Sequence, residues 1–162
     1  MKRVNARALI LSLLVVYLVA FVGSLFSSNS VNSAWYDSIK SAITPPNWVF
    51  PVVWNILFLL IGISLYFLWT AKFRNNKETK KKRKIVALVF GINLALNILW
   101  SLFFFTLKSP LLSFFEIIIL WVSILAIMIF AWKIRRLSAY LLVPYALWVA
   151  FAGILNYMIA FR

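Results

Sequence analysis

Tryptophan and asparagine are the side chains through which this chain could do chemistry, because most of the usual chemical groups are missing. His and Cys are both absent. That removes the common ligands of haem iron, zinc and copper, the Cys–His and Ser–His–Asp nucleophilic arrangements, and any disulfide. The carboxylates are Asp37, Glu78 and Glu116, which fall in three different regions of the chain, so no acid–base pair is expected. Catalysis by side chains alone is therefore disfavoured, no metal or required cofactor is expected, and binding or transport moves ahead of it. The chain instead holds eight Trp residues, most of them within or beside long apolar stretches that also carry asparagines.

Those indoles and amides recur on helical faces. Asn93, Asn97, Trp100 and Phe104 follow the i, i+4, i+7, i+11 spacing of a single stripe. Trp148, Ala152 and Asn156 form a second stripe, and Trp54 with Phe58 a shorter third. Facing inward together, they would wall an aromatic cavity with a few amide groups, which is the usual composition of a small-molecule pocket. The plainer alternative is that Asn and Trp glue helices together by interhelical hydrogen bonds and ring packing. The recurrence of these groups at similar depth on four helices favours the pocket. Glu116, the one acid within a span, is either a proton site or ligand contact, or a hydrogen-bonding partner of a neighbouring helix.

The elements that must position these residues are membrane helices. The chain is 65% hydrophobic with a mean hydropathy of +0.98, more apolar than a water-soluble domain of this size would be. Five stretches, 8–26, 49–70, 85–107, 111–132 and 139–161, each approach the ~20 residues a helix needs to cross a bilayer. With only short connections between them, residues 1–162 read as a single all-α transmembrane domain, a five-helix bundle. The first span reads as an uncleaved helix; a small-residue patch at Gly23–Ser28 is an imperfect signal-cleavage site.

The net charge of +14 is a topology signal. Lys2, Arg3 and Arg7 precede the first span; Lys72, Arg74, Lys77, Lys80, Lys81, Lys82, Arg83 and Lys84 fill the second connection; Lys133, Arg135 and Arg136 fill the fourth. The other side holds only Lys40, Lys108 and Arg162. This asymmetry predicts the N-terminus inside and the C-terminus outside. The Lys-rich run is then a topology anchor that also touches anionic headgroups, and no nucleic-acid partner is expected, since no folded reader accompanies it. Trp69 and Trp132 sit at the inner ends of their spans and read as interfacial belt residues.

Two further features bear on partners. Ala87, Gly91 and Ala95 make a small-xxx-small ridge on the third span, opposite its amide stripe, which predicts a close helix contact with a second copy of the chain. Residues 27–47 carry Trp35-Tyr36-Asp37 and then Thr44-Pro45-Pro46-Asn47-Trp48. The prolines predict an extended run into the second span. The aromatic residues either insert at the interface or form a lid over the cavity, and the two are compatible.

Trp35-Tyr36, Pro45-Pro46-Asn47-Trp48-Val49-Phe50 with Val53-Trp54, Asn93 to Ser101, and Pro144 to Ala152 with Asn156 resemble, in order, the signature segments of the TspO/MBR family. These are the tryptophan-rich sensory proteins and the mitochondrial translocator protein. The resemblance covers nearly the whole chain, although Pro51-Val52 stands where many members have Gly-Pro. It implies a five-helix bundle, commonly a homodimer, that binds porphyrins and related tetrapyrroles, and in some members sterols. It places Trp35, Tyr36, Trp54, Phe58, Asn97, Trp100, Trp148 and Ala152 at the ligand. It also implies an integral protein of a bacterial plasma membrane that senses or handles porphyrins under stress. In some members the tryptophans matching Trp54 and Trp148 are implicated in light-dependent breakdown of the pigment. The alternatives to a binding protein are thus a light-dependent porphyrin-degrading enzyme and a transporter or exporter of amphipathic molecules. Against transport, the chain has no visible inverted repeat and an odd number of spans.

Overall fold

Side-chain caps and prolines set where the helices begin. Asn5 accepts a hydrogen bond from the Ala8 amide at 3.1 Å and opens α1, Ala6–Ser27. Ser33 caps the short helix α2, Ala34–Ile39, through the Tyr36 amide at 3.2 Å. The helix α3, Val49–Trp69, carries Pro51 in its first turn, where no intrahelical N–H is needed. Asn75 caps α4, Asn76–Ser101, through the Glu78 amide at 2.8 Å. Pro110 starts α5, Pro110–Trp132. Two pieces follow, α6 (Arg136–Leu141) and α7 (Val143–Ala160). The computed structural model describes residues 4–73 and 75–162. Lys2, Arg3 and Arg74 of the basic side lie outside the described residues.

Among the described residues, five helical stretches are long and apolar enough to cross a membrane: Ala6–Ser27, Val49–Trp69, Asn76–Thr106, Pro110–Trp132 and Arg136–Ala160. They close into a ring in which α1 packs on α3 and α4, α4 on α5, α5 on α6 and α7, and α6 back on α3. Their outward faces are covered with exposed Leu, Ile, Val and Phe, such as Leu11, Leu18, Ile56, Leu88, Ile119 and Ile154. Apolar side chains on that scale suit hydrocarbon, so the chain is an all-helical integral membrane protein. Buried polar atoms tie the ring together. Ser64 Oγ donates to the Ser138 carbonyl at 3.0 Å, and Trp121 Nε1 donates to the Ala146 carbonyl at 3.0 Å.

The structure corrects two sequence expectations. The basic run is not wholly a loop: α4 begins at Asn76, nine residues before the expected apolar boundary at 85. The reason is local. Asn75 supplies the cap, Glu78 lies in the favourable first turn, and the lysines and arginines that follow are good helix formers. This extension docks back on the bundle, where Arg83 Nε donates to the Trp69 carbonyl at the end of α3 (2.9 Å) and Lys82 lies over Phe130. The fifth span begins at Arg136, earlier than 139, and is broken at Leu142. Pro144 has no N–H to offer the Tyr140 carbonyl, so the helix cannot run through. The opposite connection contains the one-and-a-half-turn helix α2, and residues 44–46, which lead into α3, carry no helix, in keeping with the expected extended run.

At the end of the bundle away from the basic loops, α4 passes into a π-helical turn, Leu102–Thr106. The Leu107 amide bonds the Leu102 carbonyl five residues back at 2.9 Å, and Lys108 closes the turn with a left-handed φ of 50°. The wider turn places the adjacent Phe104 and Phe105 both inward, against Tyr36 of α2. That contact seats the connection between α1 and α3 over the ring.

Candidate ligand-binding site

Beneath that connection the ring borders a partly open cavity of about 730 Å³. Its walls come from α1, α3, α4, α5 and α7, and its cover from Tyr36, Thr44, Asn47 and Trp48. No Lys, Arg, Asp or Glu stands among its described wall residues. The cover is held by Asn47, whose Nδ2 donates to the Val31 carbonyl and to Asn32 Oδ1, both at 3.0 Å. At the far edge Arg162 donates to the Ser38 carbonyl at 3.2 Å. The Trp35–Tyr36 connection is therefore a lid.

Aromatic pairs shape the interior. Trp54 stacks on Phe58 with centroids 5.3 Å apart, and Trp100 stacks on Phe104 at 5.1 Å. Trp148 meets Phe50 edge to face at 5.8 Å. Such rings present flat, polarisable faces to whatever fills the space.

The amides are fixed by a hydrogen-bond relay at the floor. Asn97 donates through Nδ2 to the Asn93 carbonyl at 3.1 Å and to the Tyr145 hydroxyl. Tyr145 in turn donates to Asn93 Oδ1 at 3.2 Å, and Asn93 Nδ2 donates to Ser123 Oγ at 2.8 Å. The backbone carbonyl of Asn93 can only accept, so it fixes which end of the Asn97 amide carries the nitrogen. Asn97 Oδ1 is left as the acceptor available to the cavity. Near the lid, Trp100 Nε1 donates to Asn156 Oδ1 at 3.1 Å, while Asn156 Nδ2 donates to the Pro110 carbonyl at 2.8 Å. Two wall atoms are buried without any protein partner: Trp148 Nε1 and Thr44 Oγ1. A neutral site with one fixed acceptor and stacked rings can hold a flat, largely apolar molecule without ligating a metal.

Of the residues expected at the ligand, Tyr36, Trp54, Phe58, Asn97, Trp100, Trp148 and Ala152 line this cavity. Trp35 does not. It stands behind the wall, packed on Phe104 at 5.8 Å with Lys108 over its other side. Asn93 lies behind Asn97 in the relay, and Glu116 is buried with both carboxyl oxygens unpartnered, off the cavity wall. The sequence reading missed the α1 wall, where Gly23, Ser24, Ser27 and Ser28 face the cavity. Their spacing of four was the available signal, but the patch reads equally as a cleavage site. It also missed Tyr145, whose hydroxyl anchors the relay. The ridge Ala87, Gly91 and Ala95 is exposed on the outer face of α4, and a Cβ added at Gly91 would meet nothing within 4 Å.

The TspO/MBR family profile matches residues 12–162. The chain belongs to the TspO/MBR family. It is 37% identical over 156 residues to the tryptophan-rich protein TspO of Archaeoglobus fulgidus, covering 96% of each chain. It is 34% identical to the protein CrtK of Rhodobacter capsulatus, over 92% of this chain and 91% of that one. The translocator protein of Sus scrofa is 28% identical, over 88% of this chain and 84% of its own. In this TspO/MBR chain the Pro51-Val52 variant leaves α3 continuous from Val49, and Asn55 Nδ2 donates to the Pro51 carbonyl at 2.8 Å.

Proposed function

We propose that this chain is a TspO-type tetrapyrrole-binding protein that senses or handles porphyrins in a stress response. The observation that carries the reading is the covered, charge-free cavity walled by Trp54, Phe58, Trp100 and Trp148, with Asn97 Oδ1 fixed at its floor. Its volume of about 730 Å³ lies within the ~300–1,000 Å³ usual for small-molecule pockets. The macrocycle stacks on the indoles, a pyrrole N–H donates to Asn97 Oδ1, and the acidic side chains of the ligand point through the lid rather than into a neutral wall. No iron ligation is involved. The protein sits in a bacterial plasma membrane with its N-terminus and basic loops inside and its C-terminus outside. Two copies meet through Ala87, Gly91 and Ala95.

The test is quenching of Trp fluorescence by a porphyrin titration in detergent, on the wild type, Trp148→Ala and Asn97→Ala. Saturable quenching with affinity lowered about five-fold or more in each variant is expected, since each removes roughly 1 kcal/mol of stacking or hydrogen bonding. Linear quenching that is the same in all three proteins would mean partition of pigment into the micelle and would overturn the reading. A second reading, light-dependent breakdown of the bound pigment, is favoured by the presence of both Trp54 and Trp148 on the cavity wall. Pigment loss under illumination that Trp54→Phe abolishes would support it, and loss at an unchanged rate would remove it.

A further inference from the structure

A second concavity lies on the outside of the bundle at its basic end, between α5 and the broken fifth span. Leu125, Met128, Ile129 and Trp132 form one side, and Ala139, Tyr140 and Val143 form the other. It lies beside the break at Leu142, where Pro144 interrupts the fifth span. The groove holds about 320 Å³ and no polar wall atom is exposed in it. Along α5 it runs from Leu125 to Trp132, ~10 Å of helix, and its wholly apolar wall suits a hydrocarbon chain.

Its rim is charged at one end only. The Arg136 guanidinium lies over the Trp132 ring at 5.4 Å, and Trp132 meets Tyr140 edge to face at 5.3 Å. Lys133 caps the end of α5 beside them and is exposed. Neither cation has a carboxylate partner: the one ion pair among the described residues is Lys40–Asp37, at the other end of the bundle. Arg135, by contrast, is spent on Phe67 of α3, with its guanidinium 4.1 Å from the ring centroid. An apolar slot capped by two unpaired cations and an exposed phenol matches an amphiphile with its charge at one end.

We propose that this groove seats one anionic phospholipid of the leaflet on the basic side, its acyl chain between Met128 and Val143 and its phosphate on Arg136 and Lys133. Arginine binds phosphate through paired N–H groups. A zwitterionic headgroup brings its own ammonium to the same cations, which is why a net negative lipid is selected. The site is separate from the cavity and does not depend on what the cavity binds.

Trp132 reports on its own groove. The full-length protein is placed in phosphatidylcholine vesicles containing a minor fraction of lipid brominated on its acyl chain, either phosphatidylglycerol or phosphatidylcholine. The signal specific to this site is the difference in quenching between the wild type and Trp132→Phe. That difference should be about five-fold larger for the brominated phosphatidylglycerol, the enrichment expected for roughly one cation's worth of headgroup attraction. Arg136→Gln combined with Lys133→Gln should bring the two lipids level. Val143→Phe, which fills the groove and leaves every charge in place, should do the same. Equal quenching by the two lipids in the wild type overturns the proposal. So does an excess that survives either variant, because charge alone would then be recruiting lipid to the whole basic face.

Discussion

Removing one oxygen, by Tyr145→Phe, probes the relay that fixes the cavity floor. Tyr145 is 1% exposed, so the ring stays where it is and keeps its edge contact with Trp54 at 6.2 Å. What is lost is the acceptor for Asn97 Nδ2 and the donor to Asn93 Oδ1. Asn97 Nδ2 retains the Asn93 carbonyl, whereas Asn93 Oδ1, on a residue only 1% exposed, is left without its donor. An unsatisfied buried group costs ~1–3 kcal/mol in water-soluble proteins. Polar pairs inside membranes average ~0.6 and reach ~1.7 kcal/mol, because the loosened state finds other partners. The expected loss is therefore about 1–2 kcal/mol, or a fall of roughly 2–8 °C in Tm in detergent for a chain of this size. The same variant leaves the Asn97 amide held by the Asn93 carbonyl alone. Its Oδ1 is then less firmly placed, so porphyrin affinity should fall as well, and Asn97→Ala added to Tyr145→Phe should cost less than the two losses added separately. Thermal unfolding followed by circular dichroism, with a porphyrin titration on each variant, measures both. Unchanged Tm and unchanged affinity in Tyr145→Phe would refute the reasoning. A lower Tm with unchanged affinity would make the relay a structural brace and remove Asn97 Oδ1 from the ligand contact.

Two glycines on different helix faces should respond in opposite ways. A Cβ at Gly62 would lie 2.6 Å from a Leu13 methyl and 3.4 Å from its Cα, so Gly62→Val should push α1 from α3 and cost about 1–3 kcal/mol in thermal unfolding. Gly91→Leu meets nothing within the protomer and should leave unfolding of the single chain unchanged while lowering the dimer fraction in cross-linking; an unaltered dimer fraction would remove α4 from the proposed interface. The lid should loosen in alkali. Burial, with Asp37 beside it, holds the Tyr36 phenol above its ordinary 10.0, so the undocked lid releases that proton first as pH rises. Docking should be constant below pH 10 and weaken above it, and Tyr36→Phe should abolish the dependence when proteolysis of the connection is followed against pH.

Much of the site was legible in the chain because the wall residues repeat at helical spacing. Asn97, Trp100, Trp148 and Ala152 could be placed on inward stripes without knowing what lay opposite them. Trp35 and Tyr36 show the limit. The family resemblance places both at the ligand, yet α2 turns one into the cavity and the other onto Phe104, a choice made by the cap at Ser33 and by the π-helical turn it packs against. The α1 serines were passed over for a different reason. In water an amphipathic helix declares its buried side, but both lipid and bundle core are apolar, so the hydrophobicity of α1 does not distinguish its faces.

The sequence by itself determined the class of molecule, the five spans, the family, and the exclusion of His- and Cys-based chemistry, since these follow from composition, run length and ordered motifs. Only the tertiary structure decided which hydrogen-bonding atoms are spent on the protein and which are left to the cavity. Asn97 Nδ2 is consumed by Asn93 and Tyr145, which leaves Oδ1 as the free end of that amide. A residue's type fixes what it can donate or accept, but its partner belongs to another helix, and the packing of the ring alone brings the two within reach.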